Sequence, residues 1–111
     1  AIEVAPLGTD TVLVAFAGGV GDVSVSHPQA PQIRSIIDVG GKGVSIDSRG
    51  NVAALGIVGE AAAIALVEFG ASAPVIRRLQ LPPGTKPAGI AFTGTRVAVA
   101  ARGRGVLLID P

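Results

Sequence analysis

The sequence predicts an all-β chain of antiparallel four-stranded units, each about 43 residues long. Three observations carry that prediction. Pro31-Gln32-Ile33-Arg34-Ser35-Ile36 and Pro74-Val75-Ile76-Arg77-Arg78-Leu79 share a Pro-x-Ile-Arg pattern and lie 43 residues apart. Short apolar runs fill the chain, separated by Gly, Pro, Asp and Asn that supply turn chemistry. Gly 16 and Pro 8 of 111 residues punctuate the chain too often for long helices. The length holds one domain or a piece of one, with units at about 1-42, 43-87 and 88-111.

The elements follow in chain order. A first strand is expected at Ile2-Glu3-Val4-Ala5, and again at Gly43-Val44-Ser45-Ile46-Asp47 and Gly89-Ile90-Ala91-Phe92-Thr93. A second follows a glycine turn at Thr11 to Ala17, Asn51 to Val58 and Arg96 to Ala101, with Val12, Val52 and Val97 in equivalent places. Val12-Leu13-Val14-Ala15-Phe16 is apolar at successive positions, which suits a strand covered on both sides. A third strand is expected at Asp22-Val23-Ser24-Val25, Ala62 to Phe69 and Gly105 to Asp110. The Pro-x-Ile-Arg segments supply the fourth. Glu60 to Phe69 has the local propensity of a short helix, with an acid in front and Gly70 behind. Its slot in the unit is filled elsewhere by Val23-Ser24-Val25 and Val106 to Ile109, so strand is the reading.

A four-stranded unit of 40 to 45 residues is the signature of a β-propeller blade. Pro87-Ala88-Gly89-Ile90-Ala91-Phe92, then Arg96-Val97-Ala98-Val99-Ala100, then Gly105 to Pro111, resembles the bacterial propeller repeats of YVTN or LVIVD type. The second unit matches more loosely and the first least. The Tyr and Asn of the commonest version are missing, as is a Trp-Asp pair. The resemblance implies a fold class, since that family includes enzymes, binding modules and surface proteins. Eleven strands make about 2.75 blades, whereas closed rings have typically about 4 to 8. Blades bury their faces only against neighbours, so copies of this chain closing a ring, or the remaining blades of a larger chain, are the expected partners. The alternative fold is a small β-sandwich or barrel.

Charge narrows the functions. Nine basic against eight acidic side chains give a net charge of +1, so no strong field draws in nucleic acid or an anionic membrane. With no cysteine there are no disulfides, thiolate metal sites or Cys nucleophiles. No apolar run approaches the ~18 residues of a membrane span. A start at Ala1 rather than Met reads as a processed product or a piece of a longer chain. A soluble chain results, with the compartment open and export among the options.

Candidate chemistry is sparse. His27 is the only histidine and sits in a loop, so one chain cannot build a multi-His metal site. Asp10, Asp22 and Asp47 are expected to flank turns and cap backbone N–H groups. Gly40-Gly41-Lys42-Gly43 could offer N–H groups to an anion, although no helix follows it. Arg102 and Arg104 form a single Arg-Gly pair without Tyr or Trp beside it for base stacking, and Phe16, Phe69 and Phe92 read as core. Arg34, Arg77 and Arg78 belong to an outer strand, where charge discourages edge pairing. His27, Asp22, Asp47, Arg102 and Arg104 are the candidate ligand-binding residues, with no catalytic residue, metal or cofactor assigned. The expected function is a non-enzymatic binding or scaffold module. A propeller enzyme with its site in a central channel and a cell-surface structural protein are the alternatives.

Overall fold

The computed structural model describes residues 3–27, 29–58, 62–70, 73–102 and 104–110. Among the described residues eleven strands form: β1 (Glu3–Leu7), β2 (Thr11–Phe16), β3 (Gly19–Ser24), β4 (Gln32–Ile37), β5 (Lys42–Arg49), β6 (Val52–Val58), β7 (Ala63–Glu68), β8 (Val75–Gln80), β9 (Lys86–Thr93), β10 (Arg96–Arg102) and β11 (Gly105–Ile109). They make three antiparallel sheets in which each strand pairs with the next along the chain. The first is β1-β2-β3-β4, the second β5-β6-β7-β8 and the third β9-β10-β11. The fold is thus all-β, as expected. Of the Glu60 to Phe69 segment, Ala63–Glu68 is strand, while Glu60 and Ala61 lie outside the described residues, as do Ile2, Gly59, Gly103 and Pro111.

The turn from first to second strand shows how local sequence sets the hairpins. In the second and third sheets it is Gly50-Asn51 and Gly94-Thr95, with φ +60° and +61° at the glycine. Among the described residues only glycines have positive φ, so these two-residue loops take the II′ form, whose twist matches the flanking strands. The β3 start depends on glycine for another reason. At Gly19 φ is +125° and a Cβ would stand 2.2 Å from the Ile37 carbonyl oxygen, so only glycine allows β4 to lie this close.

Packing follows from which faces are covered. In the second sheet Ala53, Ala54, Leu55, Gly56 and Ile57 of β6, and Ala63 to Val67 of β7, are buried at successive positions. Such unbroken burial requires cover on both faces. One face, with Ala53, Leu55, Ile57, Ala65 and Val67, packs against Ala5, Leu13, Ala15 and Val20 of the first sheet. On the other, Ala54, Ile64 and Leu66 meet Val97 and Val99, with Ile90, Phe92, Leu107 and Ile109 closing over them. The first strands β1, β5 and β9 lie side by side across the stack. There the Ser48 hydroxyl donates to the Pro6 carbonyl, and the Phe92 N–H donates to Asp47 Oδ2 at 2.8 Å.

Several sequence expectations need correction. Register places Val52 opposite Arg49 and Arg96 opposite Thr93, so Ala53, not Val52, stands level with Val97. A one-residue offset matters because it reverses the face a side chain occupies. β3 begins at Gly19, three residues before the expected Asp22. Asp22 and Asp47 lie inside strands rather than beside turns. The strands covered on both sides are β6 and β7. In β2, Val12, Val14 and Phe16 are only half-buried, on a face that none of the other sheets covers among the described residues. Phe16 is therefore not core: its ring lies over Gly18 and Gly21 on that outer face.

Candidate functional site

The five sequence candidates do not converge. His27 is exposed in the loop after β3, where its carbonyl accepts the Ala30 N–H at 2.8 Å. Asp22 accepts from Arg34 Nη2 at 2.7 Å, and that guanidinium also reaches Thr11 Oγ1 at 2.5 Å, tying β4 across to β2. Asp47 joins the second and third sheets as described above. Arg104 donates to the Pro83 carbonyl at 2.7 Å, pinning the loop before β9. Arg102 lines a cavity. Among the described residues no group of three or more His, Cys, Asp or Glu could hold a metal ion.

The cavity holding Arg102 has a volume of about 580 Å³, within the range of small-molecule sites. It lies where the first strands begin, since Glu3, Lys42 and Lys86 are the opening residues of β1, β5 and β9 and all three line it. Thr85, just before β9, also lines it and is 4% exposed. The sequence marks Lys42 only as part of the Gly40-Gly41-Lys42-Gly43 run, through its backbone, and does not mark Lys86 at all. Their shared place at the head of a first strand was the available signal. A second cavity of about 510 Å³ lies at the other end of these strands, beside the turn residues Gly50, Gly94 and Thr95.

The two end faces of the stack form the larger unexplained surface. Along the first sheet, Val12, Val14 and Phe16 point away from the core, joined by Val4 (62% exposed), Ile33 (69%) and Ile36 (60%). On the third sheet, register puts Ala91, Ala98, Ala100, Val106 and Leu108 on the outward face, with Val106 68% and Leu108 59% exposed. Contiguous exposed apolar surface of this kind marks interaction sites. The level residues show a common pattern. Val12, Val14 and Phe16 occupy the face that Ala53, Leu55 and Ile57 use to meet the first sheet. Ala98 and Ala100 occupy the one that Ala54 and Gly56 turn toward the third. Along the second strand of each end sheet, the outward side chains are bulky in the first (Val12, Val14, Phe16) and small in the third (Ala98, Ala100).

Compared with protein-family models, curated proteins and solved structures, the chain gave no match in any of the three.

Proposed function

We propose that this chain is a non-enzymatic binding or scaffold module built of β-propeller-type blades, whose two end faces dock head to tail on further copies of itself. The observation that supports it is the match between free and occupied faces. The outward face of the third sheet corresponds to the one the second sheet presents to the third. The outward face of the first corresponds to the one the second presents to the first. Contact between the third sheet of one copy and the first of the next would repeat packing the chain already makes twice, and two or three copies would close a ring. Such an interface is heterologous, because two different patches meet.

Light scattering on a size-exclusion column tests this. The chain should run as two or three copies. Val14→Arg and Ala100→Arg should each run as a monomer, because each spoils one of the two patches. Mixed together they should give a dimer joined by the remaining good pair. A folded monomeric wild type would overturn the reading. So would dimers of either variant alone, which would mean like faces pair with like.

A further inference from the structure

The chain has only two lysines, Lys42 and Lys86, and both line the cavity of about 580 Å³ together with Arg102. Three cations thus border one hollow in a chain whose total net charge is +1. The ion pairs among the described residues are Arg34 with Asp22 and Arg96 with Asp110, and none of the three takes part. The one carboxylate in the lining, Glu3, already accepts the Ser45 hydroxyl at 3.1 Å through its Oε1. Three cations against that one carboxylate, with which none of them pairs, leave an excess of positive charge, and an anion between them relieves the repulsion.

A second feature points the same way. Among the described residues, Thr85 Oγ1 is the buried side-chain polar atom with no hydrogen-bond partner. A buried hydroxyl without a partner is uncommon and calls for an explanation such as a bound group. Val44, Val58 and Pro87 give the same hollow apolar walls. Apolar walls with a few polar groups suit an organic ligand better than a bare ion.

We propose that this cavity binds a small organic oxyanion, with its charged group between Lys42, Lys86 and Arg102, a hydrogen bond from the Thr85 hydroxyl, and its carbon body against the apolar wall. Arg102 supplies a planar fork suited to a carboxylate or phosphate, and the lysines supply point charges. The inference stands apart from the head-to-tail docking above, since the cavity lies within one chain.

Amide chemical-shift titration at low salt with phenyl phosphate, inorganic phosphate and phenol tests it. Phenyl phosphate should give saturable shifts at Thr85, Lys86 and Arg102, bind more tightly than inorganic phosphate, and weaken as salt is added. The Lys42→Ala, Lys86→Ala double variant should weaken it at least tenfold, and Thr85→Val should weaken it with the fold intact. Arg77→Ala, which removes a cation outside this lining, should leave it unchanged. No saturable shift, equal shifts with phenol, or undiminished binding by the lysine double variant would overturn the proposal. An equal loss in Arg77→Ala would overturn it too, by showing that only net charge matters.

Discussion

Asp47 offers the sharpest check on how the second and third sheets are held together. Its carboxylate accepts the N–H of Phe92, in the edge strand β9, at 2.8 Å in a partly buried setting. Removing the acceptor in Asp47→Ala leaves that N–H without its partner at a sheet junction. Hydrogen bonds to charged groups contribute about 1.5–3 kcal/mol, so a loss of about 2 kcal/mol is expected. For domains near this size, each kcal/mol lowers the melting temperature by about 4–8 °C, which places the variant roughly 10 °C below wild type. Asp47→Asn keeps an acceptor oxygen in the same place and should recover at least half of the loss. The assay is thermal and denaturant unfolding at one fixed protein concentration, because self-association adds stability by mass action. An Asp47→Ala protein within about 0.5 kcal/mol of wild type, or an Asn variant no better than Ala, would refute the idea that this carboxylate ties the sheets together.

Two further outcomes follow from burial. Leu55, fully buried where the second sheet meets the first, should cost about 2–5 kcal/mol as Leu55→Ala, whereas Leu108→Ala on the outward face should cost under about 1 kcal/mol in dilute solution; denaturant midpoints measure both, and equal losses would contradict the assigned faces. Thr85→Val replaces a buried hydroxyl that lacks a partner with a methyl of similar size, and should raise unfolding free energy by about 1–3 kcal/mol in buffer without organic anions. A loss of stability there would show that the hydroxyl has a structural partner.

Much of the architecture was legible in the chain. The Pro-x-Ile-Arg segments lie in β4 and β8, both outer strands, and the glycine turns fall where hairpins require positive φ. These are local features, fixed by backbone sterics within a few residues, so sequence carries them. The helix-prone Ala63–Glu68 segment became a strand because β6 and β8 flank it and sheets cover it on both faces, and burial outweighs propensity.

The candidate site was far less legible. Lys42 and Lys86 are distant in sequence and meet only because the first strands of neighbouring sheets lie side by side. Asp22 and Asp47 looked like turn caps. Their roles depend instead on Arg34 and on Phe92 reaching them from other strands. Phe16 looked like core because no local signal says which face of a strand will be covered.

The sequence by itself determined an all-β chain of short hairpin strands, because turn chemistry and strand propensity act over a few neighbouring residues. Tertiary structure alone decided which apolar faces are buried and which are left bare at the ends, and which charges share a cavity. Those outcomes depend on sheet stacking and on register, where a shift of one residue exchanges the two faces of a strand.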